Sequence, residues 1–556
     1  MNRDGSPSPL GRGSREAVGE GLNICIDLRP SPCPLPEGED EFSATLRNML
    51  KAIRVAILPL AMLLVAGCAR TSSSTQPAVV TVALDQNPDS LDPRIGQNAA
   101  SQHLAELLFN SLVRKNDKTE LVPDLALRWE MPDPITYVFH LRDDVRFHDG
   151  RPLTSKDVRY TFRSMLDGTV PTTKAGHPYN LIASIEAPDP YTIVFKLKET
   201  YASFLWNLAA GVIGIVPDGA GRDFALHLVG SGPFKLVRYI QDQDAVVERN
   251  DSYFGQKAVV SGLRFRIIPE EIVTALELRK GSIDIALNVL APDMVEVLKH
   301  DPKLSVMESA GSNYQYLAFN LTDSVFRDVR VRQAFAYGID REQIIKYLWR
   351  NQARQAVTIL PPNNWAYNGQ VRTYPYDPRR ARELLREAGY EHLTFTYRTN
   401  NDNDTARQTA SVLQQQLRQI GVTMQIQGNE FATFFADVIS GNFQVYSLRW
   451  LGANNDPDIF NAVFHSKSVP PNGFNRGHYS NPRVDDLVEF ARREVDLEKR
   501  KYAYREIQRI VAEDLPYISL FYMDNVCVYT KRIEGIRLDP EEHFDFLADI
   551  RIAESN

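Results

Sequence analysis

The chain has 556 residues, 43% of them apolar and 24% charged, with a net charge of −7. That length exceeds what one hydrophobic core usually organises, so two or three domains are expected, and the composition excludes disorder for the bulk of the chain. Charges of both signs are interspersed and no basic face stands out, which argues against nucleic acid as a partner.

Residues 1–48, with "MNRDGSPSPLGRGSREAVGEG" and "RPSPCPLPEGEDE", are rich in Pro, Gly, Ser and charge and show no periodicity. Such a stretch buries too little to fold, and it is read as a disordered leader outside the native product, translation starting at Met49. Residues 49–67 read as a signal peptide: Lys51 and Arg54 form a basic start, followed by an apolar run of 12 from Val55 to Ala66. A membrane-spanning helix needs about 20 apolar residues. The segment ends in Val65-Ala66-Gly67-Cys68, which resembles a bacterial lipobox. Processing there would leave Cys68 at the new N-terminus to carry the lipid, with 68–77 as the tether and the protein held on a membrane surface without spanning it. Of the four cysteines, only Cys527 then remains as a thiol. No internal disulfide forms, so the body relies on its core.

"AVVTVALDQ" alternates as a strand; "SLDPRIGQNAA" is a loop and "SQHLAELLFNSLVRKN" a short amphipathic helix. Tyr137, Phe139 and Leu141 recur at period two, the mark of a half-buried strand. After the Asp149-Gly150 turn, Thr154 with Asp157 forms a capping box, and Val158, Thr161, Phe162 and Met165 line one helical face. "SIEAPDPYTIVFKLKE" is a hairpin turned by Pro188-Asp189-Pro190. Two strands follow in "VGSGPFKLVRY" and "AVVERNDSYFG". "LRFRIIPEEIVTALELRKGSIDIAL" reads as strand, helix, Gly break and strand, an α/β crossover.

The second half continues the alternation. Asp328 caps "VRVRQAFAYGI". Asp377 caps a helix with Pro378 at its first position and Gly389 at its end, and Ala381, Leu384, Leu385 and Ala388 form its buried stripe. In "TARQTASVLQQQLRQIGVTMQIQ", Ala406, Ala410, Leu413, Leu417 and Ile420 face inward, Gly421 stops the helix, and Val422, Met424 and Ile426 alternate along a strand. "FATFFADVISGNFQVYSLRWLG" is another helix–strand pair that delivers Trp450 to the C-terminal end of its strand. In open α/β sheets ligands bind outside those ends, so "WLGANNDPD" (450–458) leaves a strand where a pocket belongs.

No nucleophile elbow, zinc-protease motif, Walker loop or dinucleotide fingerprint occurs. The ten histidines are scattered: His148-Asp149 reads as a solvated turn, and His465 and His478 lack a partner at metal-ligand spacing. The sequence therefore argues for no catalytic residue, no metal and no cofactor. Loops rich in Asn, Gly, Trp and Tyr at strand ends, "GSNYQYLAFN" (311–320) and "LRWLGANNDPD", are the best candidates for ligand contact.

Long motifs carry a family resemblance: "SLDPRIG", "LVPDLALRWE", "TYVFHLRDDVRFHDGRPLTSKDVRYTF", "GSGPFKLVRY", "VERNDSYFG", "DVRVRQAFAYGIDREQII" and "ARELLREAGY". From about residue 78 to 550 the chain resembles extracytoplasmic solute-binding protein family 5, the dipeptide- and oligopeptide-binding lipoproteins of ABC importers. The resemblance implies an α/β, two-lobed periplasmic-binding-protein fold (type II, Venus-flytrap) with an extra inserted subdomain. Lobe I would comprise 78–110, 229–310 and 520–556, the inserted subdomain 111–228, and lobe II 311–519.

The implied function is capture of a peptide or peptide-like solute between the lobes by a monomer, without catalysis, and delivery to permease subunits on the extracytoplasmic face. The alternatives are an anchored cell-envelope peptidase or amidase, a sensor or chaperone that kept the fold, or a binder of an opine, a sugar or a metal chelate. Expected ligand-facing positions are Asn98 and Ala99 on one wall, and Tyr316, Arg449, Trp450, Leu451, Ala453, Asn454 and Asp456 on the other. Peptide-binding members hold the peptide's α-ammonium with an Asp three residues after the equivalent Trp, where this chain has Ala453. Burying an ammonium without a partner costs several kcal/mol. Either Asp456 swings in, or the ligand carries no ammonium at that point, and the second reading is preferred.

Overall fold

The structure is a computed structural model; it describes residues 79–116, 120–176, 178–209, 213–450 and 456–553. The leader, the signal segment, the tether with Cys68, and Leu451, Ala453 and Asn454 lie outside the described residues.

Residues 76–556 form one compact unit built on three larger sheets. The first has seven strands. Val79–Leu84 runs parallel to Gly262–Ile267 on one side and to Ile285–Leu287 on the other. The helix Glu271–Lys280 makes the crossover between those two neighbours and stops at Gly281 in the left-handed conformation. Asp244–Arg249 and Phe234–Ile240 extend one edge, while Asn525–Thr530 and Leu304–Ser309 extend the other. Both faces of the sheet are covered, and Val82, Phe265, Ile285, Cys527 and Val528 are fully buried. Burial pushes the Cys527 thiol up, away from the reactive thiolate.

The second sheet has six strands in the order Ala353–Gln355, Tyr517–Met523, Tyr314–Phe319, Val445–Trp450, Leu393–Asn400, Val422–Asn429. Its helices obey the caps expected of them. Asp377 accepts from the amides of Arg379 and Arg380 and Pro378 opens the helix, while Gly389 adopts φ +90° just past its end. Asp328 caps Val329–Gly338. Ala410, Leu413, Leu417 and Ile420 are buried, as their 3.6-residue spacing requires. A third, four-stranded sheet (Ala126–Asp133, Thr136–Leu141, Thr192–Leu197, Ile182–Asp189) carries the helix Ser155–Leu166. Both bonds of the Thr154–Asp157 capping box are present, and Val158, Thr161, Phe162 and Met165 face the sheet as expected.

Two local expectations change. The helix from "SQHLAELLFNSLVRKN" spans only Ala99–Leu108, and Val113–Lys115 is a strand. Asp124 accepts from the Ser111 amide and from Asn110, both at 2.9 Å, and so holds the intervening chain extended. "GSNYQYLAFN" is not a strand-end loop. Tyr314–Phe319 is an interior strand paired on both sides, and its aromatic residues fill the core.

The chain crosses between the first and second sheets twice, from Ser309 to Tyr314 and from Met523 to Asn525. The return thus falls at Asp524, and Tyr517–Met523 lies wholly in the second sheet. The two crossings run side by side. Met523 donates its amide to the Asn313 carbonyl at 2.8 Å, and Arg354 donates to Gly311 O at 2.7 Å while pairing with Asp524 at 2.7 Å. A Cβ on Gly311 would sit 2.3 Å from Met523 O, so only glycine allows this approach.

Candidate functional site

A cleft opens between the two sheets beside the crossings. Its first wall is built by the end of the strand Val79–Leu84, with Asp85 just beyond it, by the first turns of the helix Ala99–Leu108, and by Asn288 and Glu542. The opposite wall is built by Trp349 and Gln352, by Arg449 on the strand Val445–Trp450, and by Asp524. These residues come from seven stretches of sequence and meet only because both sheets end here.

Asn98 caps the helix, accepting from the Ser101 amide at 2.9 Å and donating to Asn87 O at 2.7 Å. Ala99, the first helical residue, lines the cleft. His103, one turn on, stacks on Phe544 with ring centroids 4.0 Å apart. Burial pushes its imidazole down to about 4, His543 adding to the effect and Glu106 opposing it. Behind it His543 sits between Glu106 at 2.7 Å and Glu541 at 2.9 Å, and Lys115 pairs with Glu541 at 2.7 Å. Against burial, the two glutamates hold His543 well above its ordinary value. Also against burial, Lys115 and His543 hold Glu541 at about 2. This layer is electrically matched.

The cleft surface is not. Burial pushes the Asp85 carboxyl up, while its backbone hydrogen bond and Arg449 pull the other way. Burial likewise raises Glu542, with Asn288, Arg449 and Asn313 opposing. Asn288 and Glu542 both adopt left-handed backbone, at φ 55° and 67°, a conformation uncommon in non-glycine residues and often concentrated at functional positions. Arg449 is exposed, and no salt bridge or hydrogen bond from it is found among the described residues.

Strand alternation turns Trp450 to the other face. Its ring lies 6.3 Å from Tyr316 in a stacked arrangement and 5.4 Å from Phe474, with the Arg476 guanidinium 5.3 Å above it. Tyr316 is fully buried and stacks on Tyr517 at 4.3 Å. Asp456 is engaged elsewhere: it takes two bonds from Arg500 at 3.0 and 2.8 Å, one from Ser203 at 2.7 Å and one from the Asp458 amide at 3.0 Å. Asp458 accepts from Tyr201 at 2.8 Å and pairs with Arg492 at 3.0 Å. Burial pushes its carboxyl up to about 6; Arg492 opposes the rise and Asp456 adds to it. These contacts tie the segment after the four-stranded sheet to the six-stranded lobe.

Asp85, His103, Asn288, Trp349, Gln352 and Glu542 were not singled out from sequence. None lies in a motif with chemical meaning; the one available signal is the acid-rich stretch "DPEEHFDF" (539–546), which contains Glu542. Among the described residues no group of His, Cys, Asp and Glu is arranged to hold a metal ion, and no helix is long and apolar enough to cross a membrane.

Residues 120–471 match the model of the bacterial extracellular solute-binding proteins, family 5 Middle. The chain is 28% identical over 509 residues to a dipeptide-binding protein of Escherichia coli, covering 85% of this chain and 95% of the relative. Among solved structures it resembles the ABC transporter-associated periplasmic binding protein DppA from Helicobacter pylori in complex with the peptide STSA: 27% identity, TM-score 0.74, 87% of this chain and 100% of that one. It also resembles NikZ from Campylobacter jejuni in complex with Ni(L-His): 26% identity, TM-score 0.74, 85% of this chain and 99% of that one. The sheets, the paired crossings and the cleft between lobes accord with these matches, and the chain belongs to the family 5 bacterial extracellular solute-binding proteins, with their two-lobed α/β fold.

Proposed function

We propose that this chain is the substrate-binding component of an ABC importer. It captures peptides or peptide-like solutes between its lobes and delivers them to a membrane permease, anchored to the membrane through a lipid on Cys68. The observation that carries the reading is the cleft set beside two adjacent chain crossings. Paired crossings suit a hinge, and a solute touching both walls supplies contacts that exist only when the lobes are together. Ala99, on the helix that Asn98 caps, contributes one wall and Arg449 the other; Tyr316 and Trp450 stiffen the sheet behind Arg449. The protein transforms nothing: the relatives reported above are binding proteins.

A second reading, a non-peptide solute such as an opine, a sugar or a metal chelate, draws support from Ala453 and from the engagement of Asp456 by Arg500. Both remove a carboxylate from the place where peptide-binding members hold an ammonium. Calorimetry with free and N-acetylated di- to pentapeptides, beside mass spectrometry of the molecule that co-purifies, tests the choice. Peptide binding supports the first reading; a co-purifying non-peptide with no peptide binding supports the second; steady turnover of a peptide library would instead reveal a hydrolase.

A further inference from the structure

Two residues that line the cleft each carry a buried donor without an acceptor. Trp349 is 9% exposed and Gln352 is 4% exposed. Both line the cleft, and Trp349 Nε1 and Gln352 Nε2 lack a hydrogen-bond partner among the described residues. Native proteins rarely leave such groups unpaired, and two in one cleft point to an acceptor that a ligand brings.

The charges nearby are unmatched as well. Asp524 is answered by Arg354 at 2.7 Å and drops out of the balance. That leaves Arg449 facing Asp85 and Glu542. Each carboxylate feels the guanidinium, yet neither forms a salt bridge with it. Glu542 is instead oriented by a neutral donor, the Asn313 amide. The two signs stand on opposite walls, with one more carboxylate than guanidinium.

We propose that the cleft is polarised: the first lobe, through Asp85 and Glu542, takes a ligand's cationic amine or guanidinium, and the second lobe, through Arg449, Trp349 Nε1–H and Gln352 Nε2–H, takes its carboxylate. A ligand with both groups inserts between charges the protein holds apart, and it bonds fully to both walls only when the lobes meet. The ammonium position lost at Ala453 is replaced by one on the facing lobe. This inference rests on the reading of the cleft as a solute site.

The test uses the full processed protein. Peptides captured from a casein hydrolysate are identified by mass spectrometry, and the tightest binder is resynthesised in free, N-acetylated and C-amidated forms. Calorimetry then compares wild type, the Asp85→Asn/Glu542→Gln double variant and Arg449→Gln. Unchanged melting temperatures confirm that all three are folded. In wild type each blocked end weakens binding by about tenfold or more, the loss of one charge-assisted contact. The N-acetyl penalty disappears in the carboxylate variant and persists in Arg449→Gln; the amide penalty does the reverse. Equal binding of all three forms by wild type overturns the proposal and leaves the peptide reading standing. So does an Arg449→Gln variant that weakens all three forms alike, since the arginine would then serve closure alone. Capture of no peptide overturns both.

Discussion

At the junction of the inserted subdomain with the second lobe, the buried charges are paired: Asp456 with Arg500 at 2.8 Å and Asp458 with Arg492 at 3.0 Å, with Ser203 donating to Asp456 and Tyr201 to Asp458. In the cleft, Arg449 faces Asp85 and Glu542 without closing on either, and two buried N–H groups point at no acceptor. Both regions hold arginines and carboxylates from distant stretches of sequence. The difference is charge pairing. A completed network keeps two parts of the protein together, whereas an incomplete one holds its contacts for another molecule.

Arg500→Ala strikes the completed side hardest. It strands Asp456 in the interior, and the loss expected on removing one partner of a buried pair is about 3–5 kcal/mol, read by denaturant melts. A loss under about 1 kcal/mol would show that the pair does little to hold the subdomain.

The pH dependence separates the layers behind the cleft. His103 has its folded pKa depressed to about 4 from 6.5, so the unfolded chain takes up the proton first. Stability from this group is present above 6.5 and is lost as pH falls towards 4. His103→Gln should remove roughly 2 kcal/mol of that loss, allowing for the ring's partial exposure, in melts compared at about pH 7 and pH 4. Identical acid slopes for the two proteins would place the effect elsewhere.

A smaller change is expected at the helix entering the cleft wall. Asn98→Ala removes the cap and should cost about 1 kcal/mol. Smallest of all is the stability effect of Arg449→Gln, within about 0.5 kcal/mol, because the guanidinium is exposed and unpaired. A large loss there would mean that Arg449 belongs with the completed network.

Much of the fold was legible because its signals are local. The Thr154–Asp157 box, the Asp377-Pro378 start with its Gly389 end, and the inward stripe Ala410, Leu413, Leu417 each act within a turn or two of backbone. Tyr314–Phe319 was harder. A strand buried on both faces loses the period-two alternation that marks a half-exposed one, and its Gly-Ser-Asn lead-in resembles a loop. The neighbours Arg449 and Trp450 show the same limit. Sequence puts both at a strand end, but the strand's register decides that the arginine meets the cleft and the tryptophan meets Tyr316. Glu542 and Gln352 reach the site by tertiary folding alone, from segments nearly two hundred residues apart.

The proposed function requires two lobes that enclose a solute and release it unaltered. Small-angle scattering of the processed protein, with and without a solute it has captured, tests this most directly. The radius of gyration should fall on binding, and the solute should be recovered at its original mass. An unchanged radius with a solute that demonstrably binds, or steady loss of that solute, would contradict it.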